Sequence, residues 1–216
     1  MLNIHGINVS VQSVAVLRAF SLNVSGWSMV GLFGRNSVSK TTLMYSQMRH
    51  LRPSLGHLHF DDHDLCAQKP HERTRLGFGY VSEEFGLVPE MPVEENILPP
   101  IWSHRTLSDV KPFAFVYGIL PEVQEMCSRR VLQLSGGRQK LVALGRAMVV
   151  NPRMLLRNDP FKNVAPAISK RLADVISKLK SGNLSIWISQ SDLNHSRSIV
   201  EREYTIKSGT NAAPLQ

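Results

Sequence analysis

The sequence lacks any apolar run near the ~18 residues that a membrane-spanning helix needs, because Arg146 or prolines interrupt the longest candidates. Residues 1–11 have neither the basic start nor the apolar core of a signal peptide. Cys66 and Cys127 are the only cysteines, and their spacing is not that of a metal or redox site. These absences predict reduced thiols in a cytosolic protein that reaches a membrane only through a partner.

Dense basic tracts with interleaved aromatics, which are typical of nucleic-acid binding, are also missing. The net charge is +8, but the basic residues are scattered along the chain. We therefore favour a small polyanionic ligand over nucleic acid or an anionic membrane surface. The 216 residues, 43% of them hydrophobic, predict one folded domain over 1–216 with an inserted helical subdomain at about 86–134.

The segment on which the functional prediction depends is a candidate phosphate-binding loop. A buried strand is predicted at 27–33 and a helix from Lys40, which is the context that such a loop needs. Backbone N–H groups at the helix start would attract phosphate. Lys40 would reach the β- and γ-phosphates, and Thr41 would ligate Mg²⁺. The candidate nucleotide-binding residues of this loop are Gly34, Arg35, Asn36, Ser37, Val38, Ser39, Lys40, Thr41 and Thr42.

This loop departs from the pattern G-x-x-x-x-G-K-[ST] at one required position, because Ser39 replaces the second glycine. Glycine allows unusual dihedral angles and a close approach of the backbone to phosphate, whereas serine adds a Cβ. From the loop alone, nucleotide binding and its absence both remain open.

Several other segments give weaker predictions. Residues 2–24 alternate apolar and polar side chains, which predicts short antiparallel strands. Such a lobe often supplies an aromatic ring for adenine, but Val11 lies where we would look for one. The cluster at 61–64, Asp-Asp-His-Asp, could suggest a metal site, although we favour a solvated turn. Residues 210–216 are expected to form a frayed tail.

Polar residues follow three predicted buried strands. Glu83 could contact Mg²⁺ and the attacking water, or it could be an exposed loop acid. Asn158 and Asp159 end the strand at 154–156, where a Mg²⁺-binding carboxylate and a water-activating carboxylate would be placed. Asn158 carries no charge, and Asp159 is one methylene shorter than glutamate. Gln190 ends another strand, at a place suited to a γ-phosphate sensor.

The most specific signal is the sextet Leu-Ser-Gly-Gly-Arg-Gln at 134–139. Its serine can cap the helix that follows, and its two glycines let backbone N–H groups approach a ligand. The helix has an apolar face at 3.6-residue spacing and is expected to stop at Asn151-Pro152. The candidate ligand-binding residues here are Ser135, Gly136, Gly137 and Arg138.

The phosphate loop, the sextet and the Asn-Asp-Pro at 158–160, in this order, resemble the ATP-binding subunit of ABC transporters over nearly the whole chain. The resemblance implies an α/β fold, a P-loop NTPase of ABC type. Its central sheet would be mostly parallel, with an N-terminal antiparallel β lobe and a helical subdomain. The runs similar to importer subunits for branched-chain amino acids and urea are 34–36, 70–73, 79–81, 93–96 and 151–156.

The resemblance also implies partners. A second ATP-binding subunit, identical or paralogous, would pair head to tail and sandwich ATP and Mg²⁺ between 34–42 of one copy and 135–138 of the other. Closure would drive a transmembrane permease, with a solute-binding protein acting indirectly, on the cytoplasmic face of the inner membrane. Asp159, Gln190 and Glu83 would be catalytic. Thr41, Glu83 and Asn158 would hold the metal.

Departures from the family pattern in the nucleotide site leave several hypotheses about the activity of the chain. Ser37, Ser39, Val11, Asn158 and Asp159 depart from the family pattern, which predicts slow ATP hydrolysis or none. The hypotheses are an impaired importer ATPase, a nucleotide-binding or scaffold subunit without catalysis, and an ABC-like fold without activity. A small-molecule kinase is a fourth, which the sextet at 134–139 opposes.

Overall fold

The computed structural model describes residues 1–35, 37–102, 112–180, 182–191 and 199–212. Within them the chain forms ten strands, eight α-helices and a short 3-10 helix at Val131–Gln133. The strands are β1 Leu2–Val11, β2 Val14–Val24, β3 Met29–Phe33, β4 Leu55–Phe60, β5 His63–Asp64, β6 Phe78–Val81, β7 Met154–Asn158, β8 Ser185–Gln190, β9 Arg202–Lys207 and β10 Thr210–Ala212. The helices are α1 Ser37–Gln47, α2 Pro70–Arg75, α3 Val93–Ile97, α4 Pro99–Trp102, α5 Pro112–Ile119, α6 Pro121–Glu125, α7 Gly136–Met148 and α8 Pro166–Lys180.

The strands form two sheets. The four-stranded sheet has the order β2-β1-β4-β5 and is antiparallel, as the alternating pattern at 2–24 predicts. The six-stranded sheet has the order β10-β9-β3-β8-β7-β6, and all its pairs except β10–β9 are parallel. Every residue of β3, β7 and β8 is buried, as expected for parallel strands covered on both faces. The predicted fold class is confirmed.

The helices α3 to α6 lie between β6 and α7, within the region predicted to be helical. The buried side chain of Asn96 organises the turn before α3. Its Oδ1 accepts from the backbone N–H of Val88 at 2.7 Å, and its Nδ2 donates to the carbonyls of Val88 and Pro92, each at 3.0 Å. These bonds satisfy backbone groups in a proline-rich stretch where regular secondary structure is interrupted. No helix of the described residues is long and apolar enough to cross a membrane.

The prediction of a frayed C-terminal tail is wrong for residues 210–212, which form β10 against β9. The side chain of Asn211 explains the order. It accepts from the backbone N–H of Ser21 at 2.8 Å and donates to the carbonyl of Ser21 at 2.7 Å. These two long-range bonds link the six-stranded sheet to β2, and no local sequence pattern reveals them. Residues 213–216 lie outside the described part of the chain.

A buried arginine secures the C-terminal end of α1. Arg73 is 1% exposed. Its Nη1 donates to the carbonyls of Ser46, at 2.9 Å, and Gln47, and its Nη2 donates to the carbonyl of Leu65. A cation at this position satisfies carbonyls that have no partner within the helix and interacts favourably with the helix dipole.

We expect Arg73→Met to lower the free energy of unfolding by about 3 kcal/mol or more, because the change leaves buried carbonyls without donors. Chemical denaturation of the wild type and the variant measures this difference. Arg52→Met is the matched control, since Arg52 is exposed and its loss should change stability by less than about 0.5 kcal/mol. Equal stability of the Arg73 variant and the wild type would contradict the structural role of this residue.

Candidate functional site

The carboxyl ends of β3, β8 and β7 meet at one edge of the six-stranded sheet. Backbone hydrogen bonds continue beyond the strands, from the N–H of Gly34 to the carbonyl of Gln190 at 3.3 Å and from the N–H of Asp159 to the carbonyl of Ser189 at 2.8 Å. Ligands of open α/β sheets bind at this edge. The fold thus brings together three segments that lie far apart in the sequence.

The predicted phosphate loop follows β3 at this edge, but its helix begins at Ser37 rather than at Lys40. Side chains at 37–39 favour right-handed helical backbone more than glycine does, so the helix starts earlier than predicted. Gly34 is needed at its position, because a Cβ there would lie 2.5 Å from the carbonyl oxygen of Ile206. Arg35 and Val38 are exposed, whereas Ser39 and Thr42 are buried. Asn36 lies outside the described residues, as does the side chain of Ser37.

Lys40 is fully buried. Its Nζ donates to the carbonyl of Gly34 at 2.6 Å and to Oγ of Ser191 at 3.3 Å. Burial lowers the pKa of Lys40, while the nearby carboxylates of Asp159 and Glu83 act in the opposite direction. The ammonium thus closes the loop on itself, with its donors directed at the edge of the sheet.

Thr41 lies beside Asn158, the other residue that the sequence suggested for the metal together with Glu83. Nδ2 of Asn158 donates to Oγ1 of Thr41 at 3.1 Å, and Oγ of Ser189 donates to Oδ1 of Asn158 at 3.0 Å. The amide therefore joins the threonine of the loop to β8. Its oxygen, the atom that could ligate a cation, already accepts a hydrogen bond.

Asp159 has a left-handed backbone, with φ of 42°, and is 6% exposed. Its Oδ1 accepts from the backbone N–H of Ser191 at 3.1 Å, while its Oδ2 is buried without a hydrogen-bond partner. Burial raises the pKa of this carboxyl group, against the opposing effect of the Lys40 charge. A buried oxygen without a partner is unfavourable, and a bound cation or water would satisfy it.

Ser191 is a site residue that the sequence interpretation missed. It contacts both Lys40 and Asp159, whereas the predicted sensor, Gln190, precedes it by one residue. Successive side chains of a strand point to opposite faces, so Gln190 lies opposite Ser189, which faces Asn158 and Thr41. Oε1 of Gln190 is buried without a partner. Counting the alternation along β8 would have identified Ser191.

Glu83 is held by a lysine at this edge of the sheet. Nζ of Lys162 and Oε1 of Glu83 are 2.6 Å apart. The neighbouring Lys140, which extends from α7, donates to the carbonyls of Pro160, at 3.2 Å, and Lys162. Lys140 also lies over the ring of Phe85, with Nζ 5.7 Å from the centroid, and burial lowers its pKa to about 8. These contacts tie the segment after β6 to the segment after β7 and to α7.

The second group of predicted ligand-binding residues lies at the start of α7. Ser135, Gly136 and Arg138 are exposed and Gly137 is half-buried. Ser135 occupies the N-cap position, but its side chain makes no capping hydrogen bond. Hydrogen bonds from Nε2 of Gln139 to the carbonyls of Val131 and Leu134, both at 3.2 Å, fix the helix start instead. The exposed surface of 135–138 is thus available to another molecule.

Two weaker predictions concern the four-stranded antiparallel sheet. In the 61–64 cluster, His63 and Asp64 form β5, and no group of three metal-ligating side chains is arranged to hold an ion among the described residues. Val11 pairs with Val14 across the turn between β1 and β2. An aliphatic residue therefore stands where the resemblance calls for an aromatic ring.

The residues at this edge fit a magnesium nucleotide. The hydroxyl of Thr41, the amide oxygen of Asn158 and the carboxylates of Glu83 and Asp159 are oxygen donors, which Mg²⁺ prefers. The buried Oδ2 of Asp159, which has no partner, could accept a bond from a cation or its water ligand. Lys40 supplies a donor that phosphate oxygens can take over from Gly34.

The two sheets, the phosphate loop and the exposed start of α7 define an ATP-binding cassette. Residues 17–162 match the family model described as ABC transporter, which is more than half of the chain. The chain therefore belongs to the ABC transporter family.

Named relatives place the chain among transport proteins. It is 29% identical over 196 residues, covering 90% of this chain and 81% of the relative, to the lipopolysaccharide export system ATP-binding protein LptB of Acidithiobacillus ferridurans. It is 34% identical over 172 residues to the macrolide export ATP-binding/permease protein MacB of Syntrophobacter fumaroxidans, covering 77% of this chain but 24% of that protein. The comparison with LptB thus spans most of both chains.

Solved structures share the fold. A dimeric ATP-binding cassette in a post-hydrolysis state, bound to ADP and Pi, superposes with a TM-score of 0.87 at 22% identity, covering 99% of this chain and 97% of that one. A nucleotide-free ATP-binding cassette from an ABC transporter gives a TM-score of 0.84 at 23% identity, covering 99% and 90%. These likenesses establish the fold.

Arg157 is an unusual feature next to the site. It is fully buried at the end of β7, and its Nε and Nη1 have no hydrogen-bond partners. Burial lowers its pKa to about 9, so the side chain is still charged at pH 7. The nearby Lys140 adds a second positive charge. A buried charge without a partner opposes folding.

We expect Arg157→Leu to raise the free energy of unfolding by about 1–4 kcal/mol at pH 7, because an apolar side chain replaces an unpaired buried charge. The midpoint of thermal unfolding measures the effect. Arg52→Leu, at an exposed position, serves as the control for loss of a positive charge. A lower midpoint for Arg157→Leu would show that the guanidinium stabilises the folded chain.

Proposed function

We propose that the chain is the ATP-binding subunit of an ABC transporter complex, with impaired ATP hydrolysis. The observation that supports this most is the meeting of Lys40, Thr41 and Asp159 at one edge of the sheet. A phosphate-binding cation, a magnesium-binding hydroxyl and a carboxylate with one unsatisfied oxygen are thus adjacent. When bound, Mg²⁺ would neutralise charge on the β- and γ-phosphates.

The chain's own residues would act as follows. Lys40 would transfer its hydrogen bond from the carbonyl of Gly34 to phosphate oxygens. Asp159 would accept a proton from the attacking water, and Ser191 would position Asp159 through its backbone N–H. Glu83 would reach the metal after releasing Lys162. Gln190 would act only if its side chain turned from the opposite face of β8.

Hydrolysis is expected to be slow because the negative charge at this edge is reduced. Asn158 cannot offer the charge of a carboxylate, and its oxygen already accepts from Ser189. Asp159 is shorter than glutamate and so holds a water less well. Removing one positioned acid or base typically costs about 10²–10⁴ in rate.

For partners, we propose a head-to-tail dimer with a second ATP-binding subunit, together with transmembrane permease subunits on the cytoplasmic side of the membrane. The exposed residues Ser135, Gly136 and Arg138 support a contact with another copy's nucleotide. The dimeric form of the structurally similar cassette is consistent with this arrangement. Residues 1–216 would form one such domain, and 86–134 its helical subdomain.

For the transported solute, the sequence motifs favour import of branched-chain amino acids or urea. The residues that contact the solute would belong to other subunits of the complex. The names of LptB and MacB instead describe export of lipopolysaccharide and macrolides. Import and export are distinguished by identifying the permease that co-purifies with the tagged chain. A permease accompanied by a solute-binding protein supports import, and a permease without one supports export.

A second candidate function is a nucleotide-binding subunit without catalysis. The hydrogen bond from Nδ2 of Asn158 to Oγ1 of Thr41 favours it. In this bond the Asn158 side chain acts as a donor to the threonine, whereas catalysis would need it to face the metal as a ligand. In this case Asp159 would have a structural role at most.

Nucleotide binding is tested by calorimetry of ATP with Mg²⁺. We expect weak binding by the wild type, none by Lys40→Ala, and about tenfold tighter binding by Ser39→Gly, because glycine frees the backbone to approach phosphate. Ser54→Gly, at an exposed turn, is the matched control. No heat beyond dilution at millimolar ATP with wild type and Ser39→Gly would overturn the proposed function.

Hydrolysis is tested by phosphate release from the purified protein. We expect Asn158→Asp to raise the Mg²⁺-dependent rate by about tenfold or more, since it restores a charge beside Thr41. Asp159→Asn should abolish the wild-type rate. If the wild type releases phosphate no faster than Lys40→Ala while still binding ATP, the non-catalytic subunit is the correct description.

A further inference from the structure

An open cavity of about 350 Å³ lies beside the phosphate loop. Its size falls at the lower end of the ~300–1,000 Å³ of small-molecule pockets. Three parts of the chain form it, namely β2, the start of α1 and the turn before β10. The lining residues are Val14, Ala15, Val16, Arg18, Val38, Ser39 and Ser208.

The cavity adjoins the phosphate loop, because Val38 and Ser39 of the loop line it. Ser39 lines the cavity and directly precedes Lys40, which would bind the phosphates. A triphosphate anchored at Lys40 and Thr41 therefore has this cavity as a neighbouring space for its sugar and base. This step rests on the proposed nucleotide site.

The cavity walls are mainly aliphatic. Val14 and Val38, which are 65% and 54% exposed, can cover a base by dispersion contacts that do not depend on which base it is. The lining side chains include no aromatic ring, amide or carboxylate. They therefore contain no group that could accept a hydrogen bond from the amino group of adenine other than the serine hydroxyls.

Arg18 is the cationic side chain of the lining. Its Nη2 donates to the carbonyl of Ser208 at 3.4 Å, which is longer than a typical hydrogen bond, so the exposed guanidinium can turn to a ligand at low cost. Arginine only donates. Guanine offers two acceptors, O6 and N7, to such a fork, whereas adenine presents a donor beside its N7.

We propose that this cavity binds the base without selecting adenine, and that Arg18 makes GTP bind at least as tightly as ATP. The phosphates supply most of the affinity, and Arg18 determines the preference between purines. The chain is then a purine-triphosphate-binding subunit rather than one restricted to ATP.

The test is calorimetry of the full chain with Mg²⁺ and three ligands: ATP, GTP and inorganic tripolyphosphate. We expect a GTP dissociation constant equal to or below that of ATP, and tripolyphosphate within about tenfold of both. ATP binding about tenfold or more tighter than GTP would overturn the inference and leave the proposed function standing. Failure of all three ligands to bind would overturn the proposed function itself.

Variants of exposed residues separate the role of Arg18 from a general effect of charge. Arg18→Ala should weaken GTP several-fold relative to ATP, while Arg52→Ala, which does not line the cavity, should leave the ratio unchanged. Val14→Tyr should tighten both nucleotides relative to tripolyphosphate, because it adds a stacking surface. An unchanged GTP-to-ATP ratio in Arg18→Ala would contradict the assigned role, and no gain from Val14→Tyr would contradict the location of the base.

Discussion

The site depends on the burial of one positive charge. The Lys40 ammonium is enclosed at the edge of the six-stranded sheet, and a buried cation must find acceptors and opposite charge to be tolerated. The carbonyl of Gly34 and the hydroxyl of Ser191 supply the acceptors, and Asp159 supplies the charge. Because these groups follow three different strands, one ammonium holds the ends of β3, β7 and β8 in a common arrangement.

Most of the polar side chains at this edge of the sheet already bond to neighbouring protein groups. Lys40 bonds Gly34, Asn158 bonds Thr41, and Glu83 pairs with Lys162. A nucleotide must replace these contacts, so part of its binding energy is offset by the bonds that it breaks. The substitutions at 39, 158 and 159 thus act together: they remove groups that favour phosphate and metal, and neighbouring side chains bond one another instead.

Local patterns in the sequence predicted those parts of the fold that local patterns determine. The apolar run at 154–156 predicts β7, and the alternation at 2–24 predicts the hairpin of β1 and β2. The order of β10 was not predictable from local patterns, because Asn211 fixes it through hydrogen bonds to Ser21, far away in the sequence. In the candidate site, motif spacing pointed to Lys40, Thr41 and Asp159, which the fold brings to one edge of the sheet. Ser191 was missed because no short motif marks it, although the alternation along β8 places it on the same side as Ser189.

Asn211 has a mechanical consequence. Its side chain bonds both backbone groups of Ser21 and so links the antiparallel sheet to the main sheet. The antiparallel sheet carries Val14, and β3 of the main sheet leads through the phosphate loop to Val38. Val14 and Val38, which line the cavity beside the phosphate loop, thus belong to segments that Asn211 links. Any movement of the antiparallel sheet relative to the main sheet would therefore change the shape of this cavity.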